Sequence, residues 1–244
     1  MIVRYHGAMP RRSRSLALTH ELIRARFPEP GPDDPSATLL LTKEEVAARL
    51  DAFLAEHGPG DLWLFAYGSL IWNPDLEFAE RRLAALRGWH RRFCIWQRRW
   101  RGTRAHPGLM LALDRGGSCR GVAYRIAAPI GEKIARVWER ETIGDAYRPR
   151  RLPVDTEGGP VTALTFVINR DGPRYAGRLK DEEIAGYIAN ACGNMGPSAA
   201  YLLDTVAHLE ALGIHDRHLW RMQELVAERM NPPPHPSPSE AGGG

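Results

Sequence analysis

Lysine is nearly absent from this chain. Its 33 basic side chains are 30 Arg plus Lys43, Lys133 and Lys180, set against 29 acids for a formal charge of only +4. A balance that close to neutral excludes a uniformly basic nucleic-acid coat. Cysteine is scarce as well. Cys94, Cys119 and Cys192 are far apart, odd in number and without zinc-type spacing, which excludes a disulfide scaffold and points to a reduced, cytoplasmic compartment. No apolar run approaches the roughly 18 residues of a membrane span, and the N-terminus has no apolar signal core. The first 19 residues carry Arg and no acid, as a transit peptide does, but Glu21 and a short helical pattern argue against one. Internal repeats are missing, and so is any Gly-rich phosphate loop of the dinucleotide or P-loop type.

What is present is globular: 43% hydrophobic and 25% charged residues over a length of 244. Residues 1–60 read as a helical N-terminal extension. "SLALTHELIRARF" has helical periodicity, "PEPGPDDPS" is loop composition, and "TKEEVAARLDAFLAEHG" opens on a Thr42–Glu45 capping box and closes on Gly58. Residues 61–230 form the main domain. It starts with strand-like "DLWLFAY", "RRFCIW", "GLMLALD", "CRGVAYRI" and "VTALTFVI", with one helix, "GEKIARVWERETIG", before the last of them. The Gly pair in "RGGS" suggests a hairpin between two of these strands. Three helical segments follow residue 180. Residues 231–244, "NPPPHPSPSEAGGG", have nothing to bury and read as a disordered tail. Strands gathered in the middle and helices at the ends make an α+β arrangement.

Two stretches invite a functional reading. "WLFAYGSLIWNP", residues 63–74, interrupts apolar sequence with Gly68-Ser69. That is a plain turn in a core strand, or a place where backbone N–H groups approach an anion closely because no Cβ intervenes. "WHRRFCIWQRRWRGTR", residues 89–104, sets Arg91, Arg92, Arg98, Arg99, Arg101 and Arg104 among aromatics. Such interleaving can bind nucleic acid, although the acids elsewhere weigh against it. His215 and His218 beside Asp216 could clip a metal, or simply start the next helix, which is the plainer reading.

A helical wheel isolates one glutamate. Ile134, Val137 and Trp138 form an apolar stripe, and Glu141 falls three, four and seven residues after them, in its middle. Glu132, Arg136, Glu139 and Arg140 fall on the other side. A carboxylate on a buried face is costly unless paired or neutral. Burial raises its pKa, which suits a proton-transfer catalyst near neutral pH. Alternatively Glu141 reaches water at the helix end, or Arg148 neutralises it.

"FAYGSLIWNP", "RGTRAHPGLMLAL", "GVAYRI" and "VWERETIGDAYRPR", in that order, resemble the ChaC-type (glutathione-specific) gamma-glutamylcyclotransferases from about residue 62 to about 230. The resemblance implies a gamma-glutamylcyclotransferase-like fold, a small mixed barrel-like sheet surrounded by helices. It implies cleavage of glutathione to 5-oxoproline and cysteinylglycine, with no cofactor and no metal. The substrate's own α-amine attacks its γ-carbonyl, so no enzyme nucleophile is needed. By motif, Glu141 of the Arg140-Glu141 pair is the catalytic acid/base. Phe65, Ala66, Tyr67, Gly68, Ser69 and Leu70 cradle the glutamyl end, and Tyr147 joins them. Tyr67, Tyr147 or a loop amide would stabilise the oxyanion. Arg pairs well with carboxylates, so Arg101 or Arg104 either meets the glycyl carboxylate or lies in a solvated loop. The expected partner is a small molecule, glutathione or another gamma-glutamyl amine, with no nucleic acid and no membrane; the sequence leaves the oligomeric state open. Arg104 stands where the family more often has Pro, and Ala66 where glutathione-specific members usually have Gly. These differences bear on substrate range rather than reaction type.

Overall fold

The computed structural model describes residues 15–37 and 40–231. The expected tail lies outside the described residues, Asn231 excepted.

Helix α1 (His20–Arg26) starts at Thr19, whose side chain accepts from Leu22 N. Helix α2 (Lys43–His57) starts at the expected capping box: Glu45 Oε2 accepts from Thr42 N at 2.7 Å, and Thr42 Oγ1 accepts from Glu45 N at 3.2 Å. The sheet follows as β1 (Leu62–Ala66), β2 (Glu80–Gln97), β3 (Gly108–Ile126), β4 (Tyr147–Thr156) and β5 (Gly159–Ile168). Helix α3 (Gly131–Thr142) lies between β3 and β4. Helices α4 (Asp181–Asn190), α5 (Ser198–Ala211) and α6 (Arg217–Met230) complete the described chain.

The five strands close into a barrel in the order β1-β3-β2-β4-β5, with β5 returning to β1 in parallel. Side chains alternate across a strand, and β1 shows what this achieves. Leu62, Leu64 and Ala66 face the helices and join the core built with α3 to α6. Phe65 and Tyr67 enter a second cluster made only from strands and their ends, with Leu86, Leu113 and Val154, which fills the barrel. Mixed strands closed into a barrel and wrapped by helices are the α+β arrangement that the element order predicts and the barrel-like sheet that the resemblance implies.

The structure corrects two local expectations. "RGGS" is not a hairpin. It is a bulge in a single 19-residue strand, β3, which runs antiparallel to the 18-residue β2 along its whole length. Gly116 and Gly117 (φ 105° and 65°) sit opposite Gly88 where the register shifts between Arg87 and Trp89, so the left-handed backbone bends the ribbon without reversing it. Strand β4 has no counterpart in the sequence reading. Pro149 and Pro153 argue against a central strand, and they are tolerated because β4 meets β2 only at Ala84↔Thr156 and Ala85↔Asp155.

The described part of residues 1–60 packs into the main core. Leu18 is fully buried, and its N–H donates to Gln223 Oε1 at 2.8 Å. Phe53 of α2 lies with its ring 5.0 Å from that of Trp138 on α3.

Candidate active site

Strand β1 delivers the chain to Tyr67-Gly68, and a 3₁₀ turn, Ser69–Ile71, follows. Gly68 is not left-handed; its φ is −136°. What its missing side chain permits is a close approach, since a Cβ there would lie 3.1 Å from Tyr201 Oη. The loop is tied from behind. Buried Arg91 donates through Nε to the Tyr67 carbonyl at 3.1 Å and through Nη1 to Asp216 Oδ2 at 2.7 Å. Tyr67 Oη donates to the Phe166 carbonyl at 2.7 Å. Asp216 meanwhile caps α6, accepting from the backbone of His218 and Leu219, as the helix-start reading expects.

Helix α3 presents the other wall. Its apolar stripe, Ile134, Val137 and Trp138, is buried, and Glu141 follows with its side chain 11% exposed. Burial pushes the Glu141 carboxyl above the ordinary range, and the neighbouring Arg140 cation pulls it part of the way back. Arg140 is not the solvated charge that the wheel suggests. Its Nε donates to Glu141 Oε1 at 3.1 Å, its Nη2 to Ser69 Oγ at 3.0 Å and its Nη1 to the Asn73 carbonyl at 2.9 Å. Arg148, the other candidate partner, pairs instead with Asp145 at 2.8 Å.

Between the two walls is a cavity of about 520 Å³, whose lining includes Ser69, Arg140, Glu141, Tyr147 and Tyr201. That volume lies in the range of small-molecule sites. Of the expected binding residues, Ser69 and Tyr147 line it beside Glu141. Phe65 fills the barrel, Ala66 and Leu70 belong to the helix-facing core, and Tyr67 turns its hydroxyl inward, so their side chains support the loop and do not line the cavity. Gly68 contributes through the space it leaves for Tyr201.

Tyr147 donates its proton to the Leu111 carbonyl at 2.8 Å. Tyr67 and Tyr147, the two tyrosines expected at the oxyanion, therefore both spend their protons on backbone carbonyls. Tyr201 also lines the cavity, and its hydroxyl has no protein acceptor among the described residues. Arg101 is on the cavity wall, whereas Arg104 turns away to Asp34 and Ser36. The rest of the Arg-aromatic stretch is spent internally: Arg92 reaches Asp114, Arg99 reaches Asp33, and Arg98 lies over Trp96. Sequence reasoning missed Arg140, Gln97, Trp100 and Arg174 as lining residues. For Arg140 a signal existed in its adjacency to a buried acid; Arg174 carried none.

Among the described residues no group of three or more His, Cys, Asp or Glu side chains converges as a metal site, and no helix is long and apolar enough to cross a membrane.

The family model for ChaC-like protein matches residues 62–229. The glutathione-specific gamma-glutamylcyclotransferase of Escherichia coli (strain K12) is 40% identical over 182 residues, covering 73% of this chain and 79% of that protein. The glutathione-specific gamma-glutamylcyclotransferase 1 of Mus musculus is 34% identical, covering 69% of this chain and 81% of its own. The crystal structure of a yeast gamma-glutamylcyclotransferase specific to glutathione superposes with a TM-score of 0.64 at 20% identity, over 69% of this chain and 96% of that one, which speaks for the fold. A match that runs from the first barrel strand through the last helix, with a relative 40% identical over most of its length, places the chain in the ChaC-like family.

Proposed function

We propose that this protein is a glutathione-specific gamma-glutamylcyclotransferase, splitting glutathione into 5-oxoproline and cysteinylglycine. The observation that carries the reading is Glu141, a carboxylate 11% exposed on the wall of the cavity, with its pKa raised by burial.

The reaction is an internal displacement. The substrate's α-amine attacks its own γ-carbonyl carbon, a C–N bond closes the five-membered ring, and the C–N bond to the cysteinyl nitrogen breaks. Tethering supplies effective concentration, so the protein has to hold the chain bent and move protons. Glu141 takes a proton from the α-ammonium, which frees the attacking lone pair, and returns it to the departing nitrogen; the second proton that the ring nitrogen sheds as it becomes an amide passes to the released amine by the same carboxylate. Burial raises its pKa, which makes the protonated form a readier donor to the departing nitrogen than an exposed carboxyl would be. Ser69 and the opening amides of the 3₁₀ turn, which have no acceptor within it, take the α-carboxylate. Tyr201 donates to the oxyanion that develops on the γ-carbonyl oxygen. The three cysteines are all free thiols, which fits a reducing cytoplasm where the substrate is a thiol.

The test is direct. Purified protein is incubated with millimolar reduced glutathione, and 5-oxoproline and cysteinylglycine are followed by mass spectrometry. Both products should appear, and both should vanish with Glu141→Gln. A folded protein that yields neither would overturn the assignment of glutathione and move the search to other gamma-glutamyl amines.

A further inference from the structure

Four arginines line the cavity, and two of them are already paired: Arg140 with Glu141, and Arg136 with Asp75 at 3.7 Å. The other two, Arg101 and Arg174, make no ion pair among the described residues. Arg101 gives one hydrogen bond, Nη1 to the Pro197 carbonyl at 3.2 Å, and its guanidinium lies 5.7 Å from the centre of the Tyr201 ring. Arg174 gives two long ones, to the carbonyls of Trp96 at 3.3 Å and Gly144 at 3.4 Å, and lies 5.4 Å from the Trp100 ring. A guanidinium carries five N–H donors, so most of those on both residues remain unused. Desolvation lowers the pKa of each, that of Arg174 to about 10.

A third polar group on the same wall is only half satisfied: Gln97 Nε2 donates to Met110 Sδ at 2.7 Å. Gln97 is 3% exposed, and its Oε1 has no hydrogen-bond partner. A buried amide oxygen without a donor is costly, and a turn of the amide toward the cavity would let a ligand N–H satisfy it. The chain also makes room for Arg174, because a Cβ on Gly144 would run into its Nη1.

We infer that Arg101, Arg174 and Gln97 form the subsite for the departing half of the substrate, with the two guanidiniums taking a terminal carboxylate and Gln97 Oε1 accepting a peptide N–H. The inference rests on the cyclotransferase reading above and adds what selects the substrate. Charge sets the orientation. The ammonium goes to Glu141, and a distal carboxylate is repelled from that end and met by the planar forks at the other. The leaving groups favoured are therefore short peptides ending in a free carboxylate. A gamma-glutamyl amine without that carboxylate leaves two cations unpaired at the cavity wall.

The experiment compares glutathione with its glycyl monoethyl ester, on the unaltered protein and on Arg174→Gln and Arg101→Gln. For the unaltered protein, kcat/KM for the ester should be about 10- to 100-fold lower than for glutathione, the worth of a charge-assisted hydrogen bond. In each variant KM for glutathione should rise by a similar factor, with the loss falling on KM rather than kcat, and the preference for acid over ester should collapse. Arg174→Lys keeps the charge but not the fork and should fall between. An unaltered protein that turns over both substrates equally overturns the proposal without need of any variant. So does a folded Arg174→Gln that keeps the full preference. If no 5-oxoproline forms from either substrate, it is the cyclotransferase reading that fails. Calorimetric titration with cysteinylglycine and its ethyl ester then decides the subsite alone, equal affinity overturning it and weaker binding of the ester supporting it.

Discussion

Arg140 donates through Nε to Glu141 Oε1 at 3.1 Å, and the same guanidinium reaches Ser69 Oγ at 3.0 Å. One side chain thus fixes the proposed base relative to the proposed carboxylate cradle. It also works against burial, which raises the Glu141 pKa. Removing the cation in Arg140→Met should raise that pKa further. A base acts only when ionised, so the acid limb of kcat/KM should move to higher pH. Arg140→Lys should move it less, because the charge remains. KM should rise in both, since neither reproduces the bond to Ser69. An acid limb unmoved in Arg140→Met would show that Glu141 is not the titrating base.

Glu141→Gln keeps the volume and removes the proton carrier. Turnover should fall by at least about 10³-fold, within the usual worth of a positioned acid/base, while calorimetric binding of glutathione stays near that of the unaltered protein. Glu132→Gln, exposed on the opposite side of α3, is the matched control and should leave turnover unchanged. Exchanged results would displace the catalytic assignment.

The same substitution has an opposite consequence for stability. The folded-state pKa of Glu141 is raised above its unfolded value. Its contribution is therefore most favourable below the unfolded pKa and is lost as pH rises through the folded one. At pH 8 the charged, buried form costs stability, and Glu141→Gln should melt a few degrees higher than the unaltered protein. That advantage should shrink as the pH is lowered past the carboxylate range. A lower melting temperature at pH 8 would mean that the Arg140 pair outweighs desolvation.

Glu141 was legible because a helix has a fixed period, so an acid inside the Ile134–Val137–Trp138 stripe stands out from the residue spacing alone. The Thr42 cap, β1 and the helices after residue 180 were legible for similar local reasons. Where the sequence misled, long-range pairing had decided the outcome. Gly116-Gly117 suits a turn locally, and only the partner strand β2 makes it a bulge. Pro149 and Pro153 look like strand breakers, yet β4 leaves most of one edge unpaired and so accommodates them. Arg140 fell on the polar side of the wheel, yet a long side chain reaches past its own face. Arg174 is brought to the cavity by tertiary folding alone, and nothing around it in sequence marks it.

Tyr201 offers a sharper test of the oxyanion site than Tyr147 does. The Tyr147 proton is committed to Leu111 at 2.8 Å, whereas the Tyr201 hydroxyl faces the cavity beside Gly68. Tyr201→Phe should lower kcat by about 10²-fold, the low end of the loss seen when one oxyanion donor is removed, with KM little changed. Tyr147→Phe should cost less in kcat and more in stability, since it orphans a carbonyl. Equal kcat losses would point to a shared structural role.

Residues 1–60 lie outside the family match, which begins at residue 62, yet α2 packs on α3, the helix that carries Glu141. The Phe53 ring, 8% exposed, sits 5.0 Å from that of Trp138, three residues before Glu141. On this geometry the extension is a support for α3 and should unfold with the barrel in one transition. Phe53→Ala should cost about 3–5 kcal/mol, the usual loss for a buried aromatic, measured by urea with tryptophan fluorescence and far-ultraviolet circular dichroism together. The two signals should shift in step, and kcat should fall even where the protein remains folded, because a loosened α3 no longer holds Glu141 against the cavity. Separate transitions for the two signals would instead make the extension an independent unit whose packing on α3 is incidental to turnover.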